Sequence, residues 1–417
     1  MKYNNSKEVK IMKLFAKIII PILLTFTMLF SLVACNSGNE GNDTKFDALQ
    51  QQIEQLQKEL QDKYNELAQK DNELSQKDEE LAQKDEELSK NDDVHALEEQ
   101  ISQLEAHLKK LKEGKTVADE SYEKLKYIDA NLRDRDCING ENFEEAQKWI
   151  EDLALAAGYT EDEVVYQEFN FTRRNTQYTS QNIVITKTGK SQKQIIVGAH
   201  YDGTGTGDNG SGVALAITTA EKFATIETPY TIQFVFFSAE EYGCYGSTAY
   251  ANAMTEEEVA NTLYMINMDS LVCGDYCYIY GGVQNNAEKT VTDTEAYDNA
   301  MNIATSLGLD IRSNPWTWDN PAPGDKTPKY ASPSTGDWSD HKGFKNRGIK
   351  YLYMEATNWE IPDYTGYGET VLVGMLMNTE NDYLEYIEHY FPGRIQQHLS
   401  QFATLLHALL VQPKVSF

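Results

Sequence analysis

The sequence predicts an α/β fold, a mostly parallel mixed sheet flanked by helices, preceded by a long α-helical coiled-coil segment. Three observations predict it. Short apolar runs alternate with helical stretches between residues 142 and 268, leucines recur at heptad spacing between residues 49 and 111, and a basic-then-apolar leader precedes both. The 417 residues suffice for one large domain plus accessory segments. The formal net charge is −28, with acidic residues in excess in the stalk and the domain alike. That balance argues against a nucleic-acid partner, because phosphate binding needs clustered Lys and Arg.

The leader comes first. Lys2, Lys7, Lys10, Lys13 and Lys17 precede an apolar run from Ile18 to Val33, the pattern of a secretory signal. The run ends in Leu32-Val33-Ala34-Cys35, which resembles a bacterial lipobox, in which the Cys becomes lipidated after cleavage. The expected result is a signal peptide over 1–35, lipidation at Cys35, a flexible tether over 36–44 and an extracytoplasmic protein anchored to the bacterial cell membrane. A plain uncleaved anchor is the alternative.

The stalk is expected over 45–115. Leu49, Ile53, Leu56 and Leu60 follow a three-four seam, and Leu67, Leu74, Leu81 and Leu88 continue it once per heptad. The other seam position holds Lys70, Lys77 and Lys84, so that stretch buries little. A fuller seam resumes at Leu97, Ile101, Leu104, Leu108 and Leu111, out of phase by one residue, which predicts a hinge or two helices. The segment reads as a spacer that self-associates through a coiled coil, or as a solvated single helix.

The domain is expected over 120–417. Asn142 to Ala157 is helical in period and stops at Gly158. Gln194–Ala199, Thr231–Phe237 and Leu263–Met268 read as buried strands, with a helix over Val213–Phe223. Ligands of such sheets bind beyond the carboxyl ends of the strands. The first strand is followed by His200-Tyr201-Asp202 and Gly207-Asp208-Asn209-Gly210, the second by Glu240-Glu241, the third by Asp269-Ser270. Any one of these is ordinary. Carboxylates gathered on one rim repel unless a cation neutralises them, and one His with several Asp and Glu suits Zn2+, singly or as a bridged pair.

The strings GAHYDGTGTGDNGSG, FFSAEEYGCYGS and INMDS resemble the signature of the secreted di-zinc aminopeptidases of peptidase family M28. The resemblance spans roughly Asn182 to His398 and implies a zinc exopeptidase-like fold. It implies metal ligands at His200, Asp208, Glu241 and Asp269, with Asp208 bridging two zinc ions and Glu240 as general base. It further implies that Asp202 accepts the other ring N–H of His200 and that the Asp208–Asn209 peptide is cis. The activity implied is zinc-dependent hydrolysis at the N-terminus of peptide or protein substrates.

The match breaks at one place. The family's fifth ligand is a His in a late HTxxDT motif, and Asn378-Thr379-Glu380-Asn381-Asp382 puts Asn378 at that position. Asn378 then holds the second ion loosely, or His341 of Ser339-Asp340-His341 swings in from its usual supporting place, or the site is degraded and the protein binds peptides without cutting them. Glutaminyl cyclization is a rival reaction. Cyclases of this fold use one zinc and keep a late His preceded by Trp, where this chain has Leu376-Met377-Asn378. His389 and His398 are expected at the surface. The stretch between Gly281 and Asp337, with Trp316, Trp318, Pro315, Pro321, Pro323 and Tyr330, either roofs the cleft or packs as a surface loop. Trp338 and Trp359 belong to core or site, and Cys273 and Cys277 are bridged or are two free thiols.

Overall fold

The computed structural model describes residues 92–411 continuously, with scattered helical positions between 51 and 70 before them. The leader, Cys35, the tether and the seam positions from Leu49 to Leu88 lie outside the described residues. No helix among the described residues is long and apolar enough to cross a membrane. The chain divides into two compact units, Met1–Glu98 and Glu99–Phe417. In the first, the described positions are helical.

The second unit carries the sheet. Helix α1 (Asp92–Asn131) runs without a break through 116–119, where the stalk is expected to give way to the domain. Gly114 lies inside the helix. A Cβ there would collide with the backbone and side chain of Thr404, so the glycine allows close helix packing. Beyond it Val117, Ala118, Leu125, Ile128 and Leu132 are buried in the main core. Upstream, the seam residues Leu97, Ile101, Leu104 and Leu108 are 51–67% exposed.

Helix α2 (Phe143–Ala157) is amphipathic and ends as expected at Gly158, which adopts a left-handed φ of 107°. The strands are β1 (Val164–Arg173), β2 (Thr176–Lys187), β3 (Gln194–His200), β4 (Thr231–Phe237), β5 (Thr262–Met268), β6 (Tyr276–Tyr280), the β7–β8 hairpin (Val283–Asn285, Thr290–Thr292), β9 (Ile311–Arg312) and β10 (Tyr351–Thr357). Helix α3 (Gly210–Phe223) links β3 to β4, and α4 (Tyr245–Ala253) and α5 (Glu256–Asn261) link β4 to β5. Further on come α6 (Glu295–Ser306), α7 (His341–Asn346), α8 (Leu384–Tyr390) and α9 (Arg394–Val411).

The eight-stranded sheet has the order β1-β2-β4-β3-β5-β10-β6-β9. Its centre, β4-β3-β5-β10, is parallel, but β1-β2, β2-β4 and β10-β6 pair antiparallel. The sheet is therefore mixed rather than mostly parallel. The antiparallel flank is a hairpin whose turn, Arg174-Asn175, takes two left-handed residues. β3 is buried at all seven positions, and β4 and β5 nearly so, which is why they read as continuous apolar runs.

His398 corrects an expectation. It lies on α9 and is 5% exposed, and burial, with the charge of Arg394, pushes its imidazole down to about 3. An unfolded chain titrates the same group near 6.5, so below that pH it binds a proton that the folded chain refuses. Stability therefore falls as pH drops from 6.5 toward 3, by about 1.4 kcal/mol at pH 5.5 from this residue alone. Denaturant melts of His398→Gln between pH 7 and 5.5 should lose stability less steeply than wild type; equal slopes would contradict this.

Candidate metal centre

Each expected donor sits at or just beyond the carboxyl end of a central parallel strand. His200 closes β3, Glu240 and Glu241 follow β4, and Asp269 follows β5. Asp208 arrives on the glycine-rich loop between β3 and α3. That loop lies tightly packed. A Cβ at Gly205 would meet the carboxylate of Asp382, and one at Gly207 the thiol of Cys273, so glycine is required at both. Asn209 then starts α3, its side-chain oxygen accepting from Gly212 N at 3.0 Å and Ser270 N at 3.2 Å. The Asp208–Asn209 peptide is cis, as the resemblance implies.

The donors converge. His200 Nε2 lies 3.2 Å from Asp208 Oδ1 and 3.3 Å from Asp269 Oδ1. Ligand atoms of these three buried residues fall within 4.8 Å of one another. His200 Nδ1 lies 3.2 Å from the backbone oxygen of Asp202 and 3.7 Å from its carboxylate. The main chain of Asp202, rather than its side chain, is thus in hydrogen-bonding range of the other ring nitrogen. A proton on Nδ1 leaves the Nε2 lone pair facing the two aspartates. The Asp202 carboxylate instead accepts from Glu240 N at 3.2 Å, tying the loop after β4 to the loop after β3.

Asp269 is held by Ser339 Oγ at 2.6 Å and Ser270 Oγ at 3.1 Å, and Ser339 in turn accepts from Asn267 Nδ2 at 2.7 Å. Glu240 and Glu241 line a cavity of about 290 Å3 together with Asp208, Asp269 and Asn378. Gly203, opposite, leaves room for Glu241, since a Cβ there would come within 2.7 Å of Glu241 Oε1.

The electrostatics are those of a cluster short of positive charge. Burial, then the charge of Asp208, lifts Glu241 to about 8, and burial and neighbouring carboxylates lift Glu240 well above the usual range. Burial would lower His200, but the charge of Asp269 and the nearby carboxylates of Asp202 and Asp208 raise it well above 6.5. The nearest buried cation is Arg135, 1% exposed, which burial lowers to about 10. Its guanidinium donates to Tyr201 O at 2.9 Å and Gly205 O at 2.8 Å rather than to a carboxylate. One imidazole with converging carboxylate oxygens is a donor set that fits Zn2+, and a divalent cation offsets the repulsion.

Asn378 is at the centre. Its φ of 56° is left-handed, a region where Asn and His are both enriched, and its Nδ2 donates to Asp208 Oδ2 at 3.4 Å. Turning the amide over presents its oxygen to the same place. Asp382 anchors this segment, accepting from Gly207 N at 2.6 Å and Asp208 N at 2.9 Å. His341 is elsewhere: buried, stacked on Tyr351 and Tyr353 at 4.6 and 4.9 Å, with Nε2 3.0 Å from Gly336 O. It supports β10 and does not reach the three donors. Cys273 and Cys277 are free, buried thiols. Trp359 is core, whereas Trp338 lines the cavity. Trp316 and Tyr330 pack on the aromatic cluster around Trp359. Arg135 has no signature in the sequence, and the strings that hold Ser339 and Asp382 do not tell which backbone or side-chain groups they anchor.

Residues 182–370 match the model of peptidase family M28. The match to the family covers 189 of the 417 residues. The chain is 29% identical over 244 residues to the alkaline phosphatase isozyme conversion protein of Escherichia coli (strain K12), covering 52% of this chain and 67% of that one. It is 35% identical over 101 residues to aminopeptidase YwaD of Bacillus subtilis (strain 168), covering 22% of each chain. The chain thus spans about two thirds of the first relative and under a quarter of the second. A crystal structure of Tannerella forsythia glutaminyl cyclase matches with a TM-score of 0.50 at 17% identity, over 71% of this chain and 98% of that one, a likeness of fold.

Proposed function

We propose that the domain is a zinc-dependent aminopeptidase, removing N-terminal residues from peptides or proteins. The observation that carries this reading is the convergence of His200 Nε2, Asp208 Oδ1 and Asp269 Oδ1 at the strand ends, beside Glu240 and Glu241. His200, Asp208 and Asp269 would hold one ion, and Asp208, Glu241 and Asn378 a second. Bound zinc supplies Lewis acidity, acidifying water and polarising a carbonyl. Glu240, held through its backbone by Asp202, takes the proton from the attacking water and returns it to the leaving amine. The carboxylates of Asp208, Glu240 and Glu241 line the cavity, where an unblocked α-amine would find an acceptor that an acetylated one would not.

An amide oxygen is a poorer zinc ligand than imidazole, so the second ion is the weaker one. Asn378→His places imidazole on a left-handed residue that tolerates it. The variant should hold its second zinc at least about 10-fold more tightly against a chelator, the lower bound of what even outer-shell partners contribute. Unchanged retention would remove residue 378 from the metal.

The lipobox at Cys35 supports a lipid-anchored, extracytoplasmic placement, and the heptad leucines support a stalk; the exposed row Leu97, Ile101, Leu104 and Leu108 fits self-association through it. The enzymatic reading is tested by assaying matched free and N-acetylated peptides while zinc is added back stepwise. Cleavage of the free peptide alone supports an aminopeptidase. Equal cleavage of both contradicts it, and cyclization of Gln-peptides without cleavage favours the cyclase reaction.

A further inference from the structure

The cavity that contains the metal donors continues past them to β10, where one carboxylate stands outside the donor set. Strand alternation puts Tyr353 and Glu355 on the same face of β10, and both line the cavity. Asp269 N donates to Met354 O at 3.1 Å, so Glu355 follows directly on the residue that docks the metal-binding aspartate. Glu355 is 3% exposed, and its Oε2 has no hydrogen-bond partner among the described residues.

The surroundings of this carboxylate are aromatic. On the adjacent strand Tyr278 is paired with Glu355 and Tyr280 with Tyr353. Tyr353 and Trp338 line the same cavity. Among the described residues no ion pair reaches Glu355. Lys342 lines the cavity without pairing to it, and the other carboxylate outside the metal centre, Asp337, pairs with Lys345.

A buried carboxylate with a vacant oxygen is costly unless a cation meets it, and aromatic faces add attraction for the same charge. We propose that Glu355 and the tyrosines around it form a side-chain pocket that selects a cationic N-terminal residue, Lys or Arg, in the substrate. The proposal rests on the aminopeptidase reading. An apolar side chain leaves Glu355 Oε2 unpaired, and an acidic one is repelled. A contact to the α-amine would serve every substrate alike, which separates the two roles experimentally.

The test uses the zinc-loaded full chain and anilides of arginine, citrulline, lysine and norleucine, two pairs that differ mainly in charge. Arginine over citrulline and lysine over norleucine should each exceed about 10-fold in kcat/KM. Glu355→Gln should bring both ratios toward one, and Glu355→Asp should retain part of them. Wild-type protein that cleaves citrulline as well as arginine overturns the proposal without needing a variant. So does a Glu355→Gln protein that loses all four substrates in equal proportion. If no anilide is cleaved, the aminopeptidase reading fails instead, and calorimetry with argininamide against citrullinamide still reads the pocket: preference for argininamide supports it, equal affinity overturns it.

Discussion

Glu240→Gln is expected to lower kcat by about 100- to 10,000-fold, the usual contribution of a positioned general base, while leaving zinc content per chain unchanged. The substitution keeps the size of the side chain and the backbone N–H that donates to Asp202 Oδ1. It keeps an oxygen for the nearby Cys244 thiol, which lies 3.4 Å from Glu240 Oε1. What it removes is the ability to accept and return a proton. KM should move little, because the loss falls on the transition state. Parallel determination of kcat, KM and bound zinc decides the matter. A variant that loses its metal would show that Glu240 is a ligand and that base and ligand have been exchanged.

His200→Ala carries the second large effect. Partners outside the coordination shell typically cost 10- to 100-fold in metal affinity or activity, so removing a direct donor should cost more than about 100-fold in zinc affinity. Hydrolysis at limiting zinc should fall with it. Nothing described nearby can replace the imidazole, since His341 is stacked between Tyr351 and Tyr353 and bonded to Gly336 O. The variant also leaves Asp208 and Asp269 without the ring that lies between them. Zinc competition titration against a chromophoric chelator measures the change. An affinity within a few-fold of wild type would exclude His200 from the site.

Much of the centre was legible because the chemistry follows buried parallel strands. β3, β4 and β5 are apolar along nearly their whole length, so the first polar residues after them mark the strand ends. His200 at the end of β3 and Asp269 directly after β5 are found this way. The flanks were harder. β1 and β2 alternate polar and apolar residues and close on Arg174-Asn175, which carries no Gly to announce a hairpin. The extent of antiparallel pairing therefore escaped a reading built on the sheet's centre.

Helix α1 runs through the boundary expected between stalk and domain for a related reason. Glycine signals a helix end in isolation, but this one exists to let Thr404 approach, a fact held by residues nearly 300 positions away. His398 read as a surface residue because its own helix gives no account of what packs over it. Arg135, Ser339 and Asp382 act through hydrogen bonds to segments distant in sequence. Such contacts have no period and no spacing, and only the folded chain brings them together.

The central claim is that one imidazole and two carboxylates at neighbouring strand ends hold a divalent cation. Anomalous diffraction at the zinc absorption edge, from crystals of the zinc-loaded protein, tests it most directly. The account predicts a peak about 2.0–2.2 Å from His200 Nε2 and from a carboxylate oxygen of both Asp208 and Asp269. A fully loaded protein whose zinc peak lies away from these three side chains would contradict it.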